Sequence, residues 1–131
     1  MNRLFHALPP ILSLGLSLCM SLALIAGTAH AEPPRITEAR AERDAMGWRF
    51  FVTILHPDTG WDHYADGWEV LDDAGNRLGF RELHHPHVNE QPFTRSLGQV
   101  MVPDGTRRVY VRAYCSNGDR TGTSVPVDLH F

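Results

Sequence analysis

The chain has 131 residues, with 15 acidic and 12 basic side chains and a formal net charge of −3. Every basic residue is arginine, and the arginines are spread along the chain without forming a cluster. A mildly acidic protein without a basic patch argues against nucleic acid as a partner, and no cationic amphipathic stretch points to a membrane surface.

The first 31 residues have the pattern of a secretory signal peptide. Arg3 lies near the start, an apolar run covers residues 11–26, and the sequence AHA at residues 29–31 is a typical cleavage signal. The apolar run is shorter than the about 20 residues that a membrane-spanning helix needs. We therefore predict cleavage after Ala31, no membrane insertion afterwards, and a periplasmic or secreted location.

Lipidation at Cys19 is the alternative fate of the leader. Leu18 stands directly before this cysteine, where lipoprotein signals have a small side chain, so cleavage after Ala31 is the favoured interpretation. Residues 32–131 then form a single domain, long enough to have a core of its own. Cys115 is the only cysteine left in it. An internal disulfide is therefore excluded, and the thiol is expected to be buried, bound to a metal ion or paired with another molecule.

Short apolar runs alternate with turn signals about every 8–12 residues, which is typical of an all-β sandwich or barrel. The predicted strands cover residues 35–42, 47–55, 68–72, 77–83, 96–102, 107–114 and 123–130. In the strongest of them, Trp48, Phe50, Val52 and Ile54 alternate onto one face, and Trp68 is also assigned to the core by parity. We predict a seven-stranded antiparallel sandwich, immunoglobulin-like or fibronectin-III-like, with a small barrel as the alternative.

If successive strands alternate in direction, the short and the long connections fall at opposite ends of the domain. Short turns at residues 44–46, 72–76 and 103–105 fall at one end of the domain. Three long loops fall at the other end, at residues 56–67, 84–95 and 115–122. The long loops hold five of the six histidines that remain after cleavage, together with Cys115. We therefore expect these side chains to gather at one pole.

Histidine is the commonest metal ligand in proteins, and imidazole suits zinc and copper. His85 and His87 flank a proline in extended chain, so both side chains are expected on the same side. The candidate ligands are His56, His63, His85 and His87, with His84, Cys115, Glu90, Asp62 and Asp66 as additional ligands or partners. Zinc or copper is the predicted cofactor. The spacing matches no established metal motif, and structural histidines that order the loops are the alternative.

Aromatic residues in the same loops have two interpretations. Trp61, Tyr64 and Phe93 could form a binding surface, whereas Trp61 and Phe93 would bury more area if they folded inward to cap the core. Cys115 has the alternative role of a small buried apolar residue. No serine has a nucleophile-elbow setting and no glycine-rich phosphate loop occurs, so we do not expect an enzyme.

Three segments carry a resemblance to known sequences: HPDTGWDHYADGWEV at residues 56–70, HPHVNEQPFTRSL at residues 85–97, and VYVRAY at residues 109–114. The chain resembles, over most of residues 48–129, a family of small uncharacterised secreted bacterial proteins. The resemblance implies a compact exported domain whose family pattern includes both histidine loops, and it implies no activity.

Two functions follow from the sequence. The first is a periplasmic or secreted protein that binds zinc or copper through the loop histidines. The second is a non-enzymatic immunoglobulin-like module that binds an envelope protein through the same end, with structural histidines and aromatic anchors.

Overall fold

The computed structural model describes residues 32–131, so the predicted signal peptide lies outside the described residues. This range contains seven strands and no helix: β1 (Arg35–Asp44), β2 (Gly47–Leu55), β3 (Ala65–Leu71), β4 (Arg77–Glu82), β5 (Phe93–Val100), β6 (Arg108–Cys115) and β7 (Val125–Asp128). No membrane-spanning helix is found in this part of the chain.

The strands form two antiparallel sheets that pack face to face. One sheet has the order β1-β2-β5 and the other the order β4-β3-β6-β7. The chain therefore crosses between the sheets three times, after β2, after β4 and after β5. The sheets are not closed on each other. The predicted seven-stranded sandwich is confirmed, and the barrel alternative is wrong.

The core lies between the two inner faces, where strand parity places it. In β2, Trp48, Phe50, Val52 and Ile54 are all buried, as their alternation predicts. Trp68 of β3 is fully buried opposite them, and Val109, Val111 and Ala113 contribute the inward face of β6. Burial of a large apolar side chain stabilises the fold by about 1.5–3 kcal/mol each, so this layer holds the sheets together.

Hydrogen bonds between the long loops show that they share one end of the sandwich. The backbone N–H of Ser116 donates to the carbonyl of Tyr64 at 2.9 Å. The backbone N–H of His56 donates to Oε1 of Gln91 at 3.0 Å. These contacts join the connections 56–64, 83–92 and 116–124, so the predicted gathering of the histidine-bearing loops is confirmed.

Two strands begin earlier than the sequence predicted. β3 begins at Ala65 and β5 at Phe93, three residues before the predicted starts in each case. Ala65 and Gly67 have low β-propensity, and the register with β6 shifts between them at a β-bulge. The sequence there therefore lacks the regular alternation by which a strand is recognised. Phe93 pairs with Ile54 across the first sheet and is therefore drawn into the core.

Candidate metal site at the loop end

The structure brings together one ring nitrogen of His56, one ring nitrogen of His63 and Sγ of Cys115. These three donor atoms lie within 4.8 Å of one another. His56 and Cys115 are 1% and 2% exposed, and Cys115 is a free thiol. The two imidazole rings are tilted, with centroids 4.7 Å apart. Two imidazoles from the connection 56–64 and one thiol at the end of β6, with His56 and Cys115 buried and His63 partly buried, have the composition of a metal site.

The turn before β3 positions His63. Its backbone N–H donates to the carbonyl of Gly60 at 3.2 Å, and its own carbonyl accepts from the N–H of Thr59 at 2.9 Å. The turn closes because Gly60 has a φ of 143°, a conformation that side-chain-bearing residues rarely adopt. Nε2 of His63 is buried and has no hydrogen-bond partner. A buried polar atom left without a partner carries a free-energy cost that a bound ion would remove.

Asp58 connects the loops from a fully buried position. One carboxylate oxygen, Oδ1, lies 2.5 Å from Nδ1 of His56 and accepts from the N–H of Ala65 at 3.0 Å. The other oxygen, Oδ2, accepts from the N–H of His87 at 2.7 Å. The carboxylate thus fixes the ring of His56 and holds the loop 83–92 against β3. Carboxylates commonly orient metal-binding histidines in this way.

Asp58 was not among the candidates that sequence reasoning selected. A signal was present, because His56 and Asp58 flank Pro57 in the same spacing as His85 and His87 flank Pro86. Residues at i and i+2 of an extended segment point to the same side.

His85 and His87 form a second pair, apart from the three-donor cluster. Their ring centroids lie 4.5 Å apart, so the predicted same-side arrangement holds locally. His87 is buried and stacks on Phe93 with centroids 3.8 Å apart, whereas His85 is exposed. Nη2 of Arg95 donates to Nε2 of His87 at 2.9 Å, which occupies the nitrogen that a metal ion would need.

The surroundings of His87 favour its neutral form. Burial lowers the pKa of His87, and the Arg95 guanidinium and the His85 ring lower it further, against the opposing effect of the Glu90 and Asp58 carboxylates. Because Arg95 donates to Nε2, the proton of the neutral ring is on Nδ1. That nitrogen is buried without a hydrogen-bond partner, 4.0 Å from Oδ2 of Asp58.

Acidification should therefore destabilise the loop end through His87. With a folded-state pKa below the ordinary value of 6.5, the unfolded chain binds the proton first as the pH falls. Unfolding free energy should be highest above about pH 6.5 and should fall as the pH is lowered toward the folded-state pKa. Denaturant unfolding between about pH 8 and pH 5 measures this trend.

His87→Gln should flatten this pH dependence, whereas His85→Gln, at the exposed neighbour in the same loop, should leave most of it in place. Equal pH profiles for the wild type and His87→Gln would contradict the assignment to His87.

The other candidate ligands do not belong to the three-donor group found among residues 32–131. The side chain of His84 is 71% exposed and lies 3.9 Å from Glu82. Glu90 is exposed and pairs with Arg95 at 3.4 Å. Asp62 is exposed at the tip of the turn. The predicted four-histidine set is thus divided between two neighbouring groups, and only His56 and His63 belong to the three-donor cluster.

The aromatic residues of the loops also differ in their burial. Trp61 is 68% exposed, so the expectation that it folds inward is wrong. Its ring packs edge-to-face with that of Tyr64, with centroids 5.6 Å apart. Phe93 is 2% exposed and does cap the core. Pairing with β2 turns Phe93 inward, so it is not part of the candidate binding surface. Trp61 and Tyr64 are the two predicted surface residues that remain.

Comparison with known proteins shows a similarity over part of the chain. A protein of Halomicrobium mukohataei described as "Putative lipoprotein" is 47% identical over 79 residues, which make up 60% of this chain. The chain covers 38% of the length of that relative. No family model and no solved structure matches the chain.

Proposed function

We propose that this protein is a small exported β-sandwich domain that binds one zinc or copper ion through His56, His63 and Cys115. The observation that carries the proposal is the convergence of three donor atoms within 4.8 Å at one pole of the fold. The role is binding, with no catalytic step.

The geometry requires only small movements to accept an ion. Three atoms with a largest separation of 4.8 Å have a common point within about 2.8 Å of each. Zinc binds imidazole nitrogen at about 2.0–2.1 Å and thiolate at about 2.3 Å, so each donor would move by roughly 0.5–0.8 Å. Rotation of the three side chains about their own bonds can provide shifts of this size without any change in strand pairing.

The hydrogen-bonding state of the ring nitrogens and the chemical type of the three donors also support the proposal. Coordination would give the buried Nε2 of His63 the partner that it lacks. Asp58 already holds Nδ1 of His56, so Nε2 would be the coordinating nitrogen, and the ion would replace its present 3.2 Å contact with the carbonyl oxygen of Glu32. A thiolate with two imidazoles is a donor set that zinc and copper both favour over magnesium or calcium.

Metal stoichiometry of tag-free protein tests the proposal. After loading with Zn²⁺ or Cu²⁺ and desalting, the wild type should retain about one equivalent, because three ligands from a folded scaffold release the ion slowly. His63→Ala should retain almost none. Elemental analysis of the desalted protein gives the ratio.

His85→Ala is the matched control, since it removes an exposed histidine from the neighbouring loop. It should retain as much metal as the wild type. Equal retention by His63→Ala and the wild type would contradict this ligand set, and loss in His85→Ala alone would move the site to the second histidine pair.

An envelope or secreted location is part of the proposal. Two independent features support it: the signal-peptide pattern of residues 1–31 and the lipoprotein description of the Halomicrobium relative. The likeness to the secreted bacterial family described above agrees with an exported domain.

Trp61 favours a second candidate function, recognition of an envelope protein at the same pole. A tryptophan that is 68% exposed, with Val88 50% exposed in the adjacent loop, is the kind of anchor that dominates binding energy at interfaces. Trp61→Ala should abolish cross-linking to such a partner in envelope preparations, whereas Asn89→Ala should preserve it. Unchanged cross-linking by Trp61→Ala would count against this function.

A further inference from the structure

A short segment before β1 lies directly against the candidate metal site. The carbonyl oxygen of Glu32 is 3.2 Å from Nε2 of His56, the nitrogen that remains once Asp58 holds Nδ1. Pro34 is buried, and a side chain at Gly122 would meet Pro33 at 3.6 Å, so the segment packs closely on the β6–β7 loop.

The two prolines make this segment stiff. Pro33 and Pro34 fix their own φ angles, and Pro33 also restricts Glu32 to extended backbone. Residues 32–36 and His56 line one side of a cleft of about 840 Å³ at the loop end. Glu32 is thus held at a defined place beside the imidazole, and it is exposed to solvent on its other side.

Glu32 is also the residue that cleavage after Ala31 would leave at the amino terminus. In the uncleaved chain its nitrogen belongs to a peptide bond and has no available lone pair. Cleavage converts it to a primary amine, which binds zinc and copper once it loses its proton. Covalent geometry places this nitrogen about 2.7–3.6 Å from the carbonyl oxygen of the same residue.

Once it has lost its proton, the terminal amine is a single nitrogen donor and adds one ligand to an ion. His56, His63 and Cys115 supply three ligands, and zinc in proteins is most often four-coordinate. Glu32 lies beside this donor set, with its carbonyl oxygen 3.2 Å from Nε2 of His56, so it is the nearest backbone group described here that could supply a fourth ligand.

We propose that the amino terminus created at Glu32 by removal of the leader supplies the fourth ligand of the metal ion. This inference rests on the proposed function. It makes tight metal binding a property of the processed protein: the precursor has three ligands, and export followed by cleavage completes the set.

The test uses the mature protein purified after export of the full chain. Its intact mass should correspond to a chain that begins at Glu32. A chain that begins elsewhere, such as at a lipid-modified Cys19, would overturn the inference at this step.

The chain contains no lysine, so acetylation of amines can be restricted to the terminal amino group. Competition with a chelator then gives the Zn²⁺ affinity of the free and the singly acetylated protein. We expect acetylation to weaken binding by at least about 10-fold. Mature protein with Glu32→Ala, which keeps the terminal amine and removes only the carboxylate, should bind as tightly as the wild type.

The outcomes separate this inference from the proposed function. Equal affinity of the free and acetylated proteins would overturn the terminal ligand and leave the three-donor site standing. Loss of affinity in Glu32→Ala equal to that on acetylation would assign the contact to the carboxylate and overturn the amine. Absence of zinc binding in every preparation would overturn both.

Discussion

Asp58→Ala should lower the free energy of unfolding by about 3–5 kcal/mol, the range expected when one partner of a buried charged network is removed. The carboxylate is fully buried and accepts from the backbone N–H groups of Ala65 and His87 while it holds Nδ1 of His56. Its removal leaves three buried groups without their partner. Urea unfolding monitored by tryptophan fluorescence measures the loss.

Asp62→Ala is the matched control, because Asp62 lies on the same loop but is exposed. It should change stability by no more than about 0.5 kcal/mol. Asp58→Asn keeps the shape of the side chain, yet its amide NH₂ cannot accept from a backbone N–H, so it should also destabilise. If Asp58→Ala proved as stable as Asp62→Ala, the central role of this carboxylate in the loop end would be wrong.

Cys115→Ala should weaken zinc binding by more than about 100-fold, beyond the 10–100-fold typical of losing an outer carboxylate. The substitution removes the only thiolate of the set, and water is a weaker ligand in its place. Competition with a chelator of known affinity measures the change. The metal-free variant should keep its fold, because alanine fills most of the same small apolar space.

Stability of the metal-free proteins provides the control for Cys115→Ala. Without metal, the variant and the wild type should differ by about 1 kcal/mol, the cost of a small cavity. With saturating zinc, only the wild type should gain stability, since a ligand that binds the folded state alone shifts the equilibrium toward it. A variant that gains as much as the wild type would show that Cys115 is a buried apolar residue and not a ligand.

Strand alternation explains why much of the fold could be predicted from sequence. The period of two in β2 identified four core residues, and alternating strand direction grouped the long loops without knowledge of the sheet order. The starts of β3 and β5 were missed because local composition there resembles a loop. Phe93 belongs to β5 because it pairs with Ile54, a contact between residues far apart in sequence.

The composition of the candidate site was harder to predict than its location. From the sequence, His85 and His87 were as good candidates for metal ligands as His56 and His63. Tertiary contacts separate them: Arg95 occupies Nε2 of His87, while Nε2 of His63 has no partner. Cys115 enters the cluster because β6 ends beside the turn that carries His63, which no local pattern reveals.

Cobalt substitution tests the three-donor site most directly. Co²⁺ in tetrahedral coordination gives intense visible bands, and a bound thiolate adds a charge-transfer band in the near ultraviolet. The wild type should develop both sets of bands, saturating at about one equivalent, and Cys115→Ala should lose the charge-transfer band. Weak bands of octahedral cobalt, identical in the wild type and in Cys115→Ala, would contradict a metal centre built from His56, His63 and Cys115.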